Sequence, residues 1–250
     1  RAQHVDWLEL MQKTAGEALS VDRKQVFLKR RQQQKGDLQH QAVSRDQYEL
    51  TVNEGGLKFI VNLSDYVDTG LFLDHRITRS LFKEQAAGRN VLNLFGYTGS
   101  FSVYAAAGGA AGTTTVDLSG KYLKWAKRNM ELNGFDGSEH SYVKADGRDF
   151  LRQLPRTPYY ELAIVEPPTF SNSKELENDW ILRDHWAPLL NDLLVRMKPG
   201  GKIYFSTNYR RFKFENEQLR GEDVREISKK TVPDDFRNQR IHRCWLLQLP

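Results

Sequence analysis

One cysteine in 250 residues, Cys244, excludes an internal disulfide and a cysteine-rich metal centre, and no other metal-ligand pattern stands out; both fit a reducing, cytoplasmic setting. No apolar run is long enough to span a bilayer, and the first residues lack the pattern of a signal peptide. The spacing G-x-G-x-x-G is missing as well, which removes the dinucleotide fingerprint and weakens the case for a nicotinamide enzyme. There is no internal repeat and no long low-complexity tract. A first residue of Arg rather than Met fits a processed product or one part of a longer polypeptide.

Charge is what the chain has in quantity. Charged residues make up 28% of it, the mean hydropathy is −0.64, and a net charge of +5 with a pI near 9.2 favours a polyanionic partner. The distribution sharpens this. Between Leu194 and Phe214 lie Arg196, Lys198, Lys202, Arg210, Arg211 and Lys213 with no acid among them, interleaved with Tyr204, Phe205, Tyr209, Phe212 and Phe214. Aromatics among cations lean toward nucleic acid, against the plainer alternative of solvated surface charge. A second basic stretch holds Arg23, Lys24, Lys29, Arg30, Arg31 and Lys35.

Two patterns divide the chain. Val5, Leu8, Met11, Ala15 and Leu19 recur at helical spacing, so residues 1–20 are expected to form a helix, and Val26-Phe27-Leu28 a short strand. Gln47–Asn53 and Leu57–Leu63 alternate around Asn53-Glu54-Gly55-Gly56, a hairpin signal. Residues 1–66 thus read as a small α+β appendage, with Asp65–Arg76 linking it to a domain over residues 67–250. From Val91 the order becomes strand then helix: strands at 91–94, 113–116, 141–143, 162–165 and 203–205, helices at 100–107, 121–133, 148–154 and 183–197. Such alternation implies a doubly wound α/β fold with a parallel sheet. Val224–Ser228 and Cys244–Leu249 are expected to close it as an antiparallel pair.

In open α/β sheets ligands bind at the carboxyl ends of the strands, and four successive strands here end in chemistry. The first runs into Asn93-Leu94-Phe95-Gly96-Tyr97-Thr98-Gly99-Ser100, whose glycines permit a tight turn at a helix start. The second ends at Asp117-Leu118, where a carboxylate can accept both hydroxyls of a ribose or cap the next helix. The third ends at Asp146-Gly147, suited to an adenine amine or again to a cap. The fourth ends in Glu166-Pro167-Pro168-Thr169-Phe170, two prolines that cannot extend a strand between an acid and an aromatic ring. Each acid alone has an ordinary structural explanation. Together they form the pocket expected for S-adenosylmethionine, with Asn93, Phe95, Gly96, Tyr97, Thr98 and Gly99 at the amino acid part and the fourth tip facing the methyl group.

The stretches Thr69-Gly70-Leu71-Phe72-Leu73-Asp74-His75-Arg76, Asn93–Ser100, Thr113-Thr114-Thr115-Val116-Asp117 and Pro167-Pro168-Thr169-Phe170-Ser171-Asn172-Ser173-Lys174 resemble one family. So do Asp235-Phe236-Arg237-Asn238, Ile241-His242 and Cys244-Trp245-Leu246. From about Val26 to the C-terminus the chain is similar to the bacterial 23S rRNA guanine-N7 methyltransferase domains, the RlmK half of the fused RlmKL proteins. The resemblance implies a class I, Rossmann-like methyltransferase fold behind a small β-rich RNA-binding appendage. It implies cofactor contacts at Phe72, Asp74 and Arg76, no metal, and a role in ribosome biogenesis on 23S rRNA or its assembly precursor. A second methyltransferase domain is the implied fusion partner or associate. The family usually has Asp where this chain has Glu166, and the extra methylene moves the carboxylate by about 1.5 Å.

Chemistry separates the candidate reactions. Cytosine C5 needs a cysteine thiolate to activate the ring, and after the fifth strand this chain has Phe205-Ser206-Thr207-Asn208 with no cysteine. Guanine N7 has an in-plane lone pair and no proton to lose, so alignment supplies much of the rate and a carboxylate stabilises the cationic product. Glu166 is expected to be that carboxylate or to accept a guanine N–H, with Pro167 beside it and Phe170 stacking on the base, while Lys29, Arg30, Arg31, Lys35, Lys174, Arg210, Arg211 and Lys213 are expected to meet phosphates. Guanine-N2, adenine-N6 or cytosine-C5 methylation and a non-catalytic RNA-binding module are the alternatives.

Overall fold

The computed structural model describes residues 2–29, 48–172, 179–219 and 223–250. Two compact units emerge, residues 1–50 with 61–69, and residues 51–60 with 70–250.

In the first unit, α1 (Ala2–Leu19) is followed by a 3-10 turn at Arg23–Gln25. Asp22 caps that turn by accepting from Lys24 N at 2.8 Å, and Gln25 answers by accepting from Asp22 N at 3.1 Å, a reciprocal capping box. The strand expected at Val26–Leu28 does not form. Val26 is extended, but its carbonyl accepts from the Gln12 side chain at 2.7 Å instead of from a neighbouring strand. After the hairpin, the Asn62 carboxamide accepts from Ser64 N and Asp65 N at 3.1 and 2.8 Å, a local turn that competes with continued pairing.

In the hairpin, β1 (Glu49–Glu54) and β2 (Leu57–Asn62) form a two-stranded sheet. Gly55 and Gly56 join them at φ +59° and +80°, the two positive values that a tight hairpin turn requires. Residues 51–60 belong to the second unit because they dock on its helix α4 (Gly120–Leu132). Asn129 Oδ1 accepts from Ile60 N at 2.9 Å, and Trp125 Nε1 donates to Ile60 O at 3.0 Å.

The second unit continues through α2 (Arg76–Glu84), β3 (Asn90–Leu94), α3 (Ser100–Ala107), β4 (Gly112–Asp117), α4, β5 (His140–Lys144), α5 (Gly147–Gln153) and β6 (Tyr160–Val165). It then passes through β7 (Phe170–Ser171), β8 (Trp180–Ile181), α6 (Leu182–Leu194), β9 (Met197–Thr207), β10 (Asp223–Glu226), α7 (Ser228–Thr231) and β11 (Arg243–Gln248). Helix α2 has no counterpart in the sequence reading. Its buried face is Thr78, Arg79 and Phe82, so a charged residue stands where the apolar period needs a hydrophobe.

Seven strands form the main sheet in the order β10-β11-β9-β6-β3-β4-β5. The five from β9 to β5 are parallel, and β11 and β10 are antiparallel, as expected. Strand order reverses between β3 and β6, which places the crevice of a doubly wound sheet at their carboxyl ends. Leu162, Ala163, Ile164 and Val165 are fully buried, as a strand covered on both faces must be. Strand β9 begins earlier than expected. Tyr160 pairs with Met197 and Leu162 with Lys202, so Lys198-Pro199-Gly200-Gly201 bulges from the ladder.

The aromatic interleaving of the basic run has a different origin from the one read in the sequence. Tyr204, Phe205 and Phe212 are buried, and Phe214 stacks on Trp245 at 5.0 Å, so these rings are core rather than a platform for bases. Arg196 is buried too and donates to Leu154 O at 2.9 Å, while Lys198 pairs with Glu161 at 2.5 Å. Tyr204 and Phe205 lie on β9, and Phe212 and Phe214, just past its end, pack on Phe205 and Trp245.

Arg79 is, with Arg196, one of two buried arginines among the described residues. It donates in bidentate fashion to Glu54 at 2.7 and 2.9 Å and to Phe72 O at 3.0 Å, which fixes the segment before α2. Glu54→Ala leaves that guanidinium uncompensated and should cost about 3–5 kcal/mol in urea denaturation. A loss below about 1 kcal/mol, the range of a surface pair, would contradict this.

Candidate active site

The loop after β3 holds two of the three non-glycine residues with positive φ among the described residues. Phe95, Tyr97 and Gly99 have φ of 58°, 47° and 72°, and the left-handed region costs an L-residue roughly 1–2 kcal/mol. Surrounding hydrogen bonds over-determine it. Gly96 N donates to Val116 O at 2.9 Å, Tyr97 N to the Asp117 carboxylate at 2.9 Å, and Thr98 Oγ1 to Gly70 O at 2.6 Å. A Cβ on Gly96 would stand 2.5 Å from Thr115 Cγ2, and one on Gly99 2.7 Å from Ala126 Cβ. Strain of this kind, held from behind, is typical of ligand clamps. Asn93 lies beneath the loop with its amide donating to Ser102 Oγ at 3.0 Å, so it supports the turn from inside.

Asp117 joins the first two strand tips. Besides Tyr97 N it accepts from Ser119 N at 2.8 Å, and Ser119 rather than Asp117 is the N-cap of α4. Leu118 is half-buried beside it. At the third tip Asp146 does cap α5, accepting from Arg148 N and Asp149 N at 2.8 and 3.3 Å, and it also pairs with the Arg148 guanidinium at 3.1 Å. Gly147 lies against Phe95, where a Cβ would come within 3.2 Å of the ring. Exposed Phe72 sits 5.3 Å from the Tyr97 ring. Arg76 turns away to Asp235 at 2.5 Å, with Phe236 6.0 Å below its guanidinium.

Glu166, expected to face the substrate, is held by a buried imidazole. His75 Nε2 contacts its Oε1 at 2.7 Å, and because a carboxylate only accepts, the imidazole supplies the proton. The His75 ring is buried and stacks on His242 at 4.3 Å with 14° between planes. His242 Nδ1 in turn donates to Asp74 at 2.9 Å, and its Nε2 meets Thr231 Oγ1 at 3.0 Å. Two imidazole–carboxylate pairs are thus stacked under the crevice. The quoted motifs contain both histidines, but local sequence shows neither their burial nor their stacking, and no role was read for them.

Electrostatics follow from this packing. Full burial disfavours a charged His75, yet the Glu166 carboxylate and, behind it, Asp74 raise its pKa above the ordinary value. Burial disfavours ionised Asp74 as well, but the hydrogen bond from His242 and the neighbouring imidazoles hold its pKa below the usual range. Asp74, His75 and His242 offer ligand atoms within 4.8 Å of one another. Near-parallel stacked rings cannot both aim an in-plane lone pair at one point, so hydrogen bonding describes the cluster better than cation binding does.

Beyond Glu166 the lip folds back on itself. Pro167 is buried, Pro168 O accepts from Trp180 Nε1 at 2.6 Å, and Phe170 pairs with Ile181 across β7 and β8 with its ring exposed. Thr169 Oγ1 donates to Asn208 Oδ1 at 3.0 Å, tying the lip to the end of β9. A cavity of about 200 Å³ opens there among Thr169, Phe170, Ile181, Leu182, Arg183 and Tyr209. Arg210, Arg211 and Lys213 are exposed just past β9. Lys29 departs from expectation: its ammonium donates to Asn62 O and Tyr66 O, and burial lowers its pKa, so it faces inward. Arg30, Arg31, Lys35 and Lys174 lie outside the described residues. Cys244 is fully buried opposite Ser206, and burial raises its pKa, reinforced by Glu166 and Glu226, so it offers no thiolate.

The profile of a family described as S-adenosylmethionine-dependent methyltransferase matches residues 6–230. A Methylococcus capsulatus protein named ribosomal RNA large subunit methyltransferase K/L is 49% identical over 236 residues, which are 94% of this chain and 32% of that protein. Its namesake in Shewanella loihica is 46% identical, over 93% of this chain and 33% of the relative. The chain therefore spans about a third of the length of these relatives. The solved structure of SMU.776 complexed with SAH aligns at a TM-score of 0.70 and 26% identity, over 82% of this chain and 57% of that one.

The paired imidazole has a thermodynamic signature. A raised folded pKa contributes stability that is complete below the unfolded value of about 6.5 and is lost as pH rises through the folded value. The stability gap between the parent and Glu166→Gln in urea should therefore narrow as pH rises above about 6.5. A gap that widens or stays constant would refute the pairing.

Proposed function

The chain belongs to the S-adenosylmethionine-dependent methyltransferase family, and on that premise we propose that it methylates guanine N7 in large-subunit (23S) ribosomal RNA. The observation that carries this reading is a carboxylate at the fourth strand tip, Glu166, with the chain's one thiol buried away from any reacting base. The names of the K/L relatives supply the RNA, and because the chain spans a third of their length, the substrate and any companion domain are part of the proposal.

The residues fit the cofactor. The glycine loop has the close approach and left-handed backbone that let a ligand reach the N–H groups at the start of α3. An ionised carboxylate has about four lone-pair sites. Asp117 accepts from Tyr97 N and Ser119 N at the second strand tip, and this carboxylate is the one we assign to the ribose hydroxyls. Asp146 and Gly147 border the adenine side, while Phe72 and Asp74 flank the loop from the segment before α2. When bound, S-adenosylmethionine supplies an electrophilic methyl group.

The chain's own contribution is then position and charge. The buried Pro167 fixes the lip, exposed Phe170 offers a stacking face, and Glu166 stabilises the positive charge that develops on a guanine alkylated at N7. In A-form RNA the N7 edge faces a groove too narrow for side chains, so the target base is unstacked or flipped out. A guanine-N2 enzyme would share the cofactor pocket. Its lip usually places an aromatic directly after Pro-Pro, whereas Thr169 intervenes here and is engaged with Asn208. In this reading residues 1–66 and the Arg210–Lys213 segment contact RNA phosphates.

Glu166→Gln should lower turnover by well over tenfold with S-adenosylmethionine affinity unchanged by calorimetry, and unaltered turnover would remove Glu166 from the mechanism. Mass mapping of rRNA lacking modifications should show 7-methylguanosine. Appearance of N2-methylguanosine or 5-methylcytidine would replace the proposed target, and cofactor binding without any product would favour an RNA-binding module. Alanine at Arg210, Arg211 or Lys213 should weaken RNA binding regardless of sequence and reduce the log–log salt slope by about 0.7 per lost phosphate contact. A change confined to one RNA sequence would assign base readout instead.

A further inference from the structure

We infer that His75 is the positioning residue for Glu166, and that loss of the proton from its unpartnered Nδ1 uncovers the Glu166 charge and speeds methyl transfer as pH rises. The inference rests on the reading of Glu166 given above and adds to it the group that sets its orientation and effective charge.

The geometry is specific. His75 is 3% exposed, and while Nε2 is engaged with Glu166 at 2.7 Å, Nδ1 has no hydrogen-bond partner among the described residues. The groups around the ring are known on every side. Glu166 faces its Nε2 from the end of β6, and Asp74 lies 3.7 Å from the same nitrogen. His242 covers one face at 4.3 Å, the Phe101 ring meets an edge at 5.9 Å, and the Arg79 guanidinium opposes a further positive charge. The site thus holds two carboxylates against two imidazoles and a guanidinium.

Both protonation states of His75 keep the hydrogen bond to Glu166, because the proton in that bond sits on Nε2. They differ in the field beyond the carboxylate. With Nδ1 protonated, imidazolium and carboxylate form a neutral pair, and the attraction for a cation on the far side largely cancels. When Nδ1 releases its proton to solvent, Nε2–H still orients Glu166, and the full negative charge faces the crevice. A guanine that becomes cationic on alkylation at N7 is stabilised by the second state and not by the first. His75 is only 3% exposed, so little solvent screens the pair.

The test is the pH dependence of single-turnover methylation of unmodified 23S rRNA at saturating S-adenosylmethionine. The parent rate should rise with pH to a plateau. His75→Gln, whose amide nitrogen reproduces the Nε2 donor without titrating, should restore most of the plateau rate and abolish the inflection. His75→Leu should fall more than tenfold at every pH with cofactor affinity unchanged. An inflection that persists in His75→Gln, or a His75→Leu variant as fast as the parent, overturns the inference. Should either substitution disturb folding, the His75 imidazole signals can be titrated by NMR in the parent and in Glu166→Gln. The midpoint should drop in the variant, and an unmoved midpoint also overturns it. Failure of the N7 reading is seen separately, in the identity of the methylated nucleoside.

Discussion

A carboxylate at the end of a buried strand is costly unless something satisfies it, and the hydrogen bond from His75 to Glu166 meets that demand on the protein side. Much of the second unit is organised around this contact. Glu166 closes β6 at the point where strand order reverses, and His75 enters α2 from the segment that Arg79 and Glu54 anchor. His242 is brought against the imidazole just before β11, the antiparallel strand that completes the sheet. A contact assembled from three distant parts of the chain exists only when the whole unit is folded.

The same logic explains why the loop after β3 tolerates left-handed Phe95 and Tyr97. Asp117 grips Tyr97 N, Thr98 grips Gly70 O, and Ala126 and Thr115 fill the space that glycine side chains would need. Asp117 therefore fixes the loop geometry by holding Tyr97 N and Ser119 N. Asp146 is committed as helix cap and as partner of Arg148. Structural and functional readings of these acids are not exclusive, because a carboxylate has more acceptor sites than one cap requires.

Much of the fold was legible. Period-2 and period-3.6 patterns, Gly55-Gly56 and the Pro-Pro terminator have local causes, and each of those elements formed near its expected bounds. Helix α2 was missed because the burial of Arg79 depends on Glu54, which lies 25 residues away in sequence. The strand expected at Val26–Leu28 failed because extended backbone needs a partner, and Gln12 took the Val26 carbonyl first. Tyr204, Phe205 and Phe212 resembled a stacking platform because composition cannot distinguish buried rings from exposed ones.

Taken alone, the sequence determined the alternation of the main sheet's strands with their helices from Val91 onward, the single edge on which four strand tips gather, the glycine loop and the absence of a usable thiol. These follow from backbone sterics, side-chain periodicity and residue counts, which are properties of neighbours along the chain. The tertiary structure decided which charges face the crevice and which are neutralised: Glu166 against His75, Asp74 against His242, Arg76 against Asp235, Lys29 against main-chain carbonyls. Charge pairing falls off with distance in space, and separation along the chain does not report that distance.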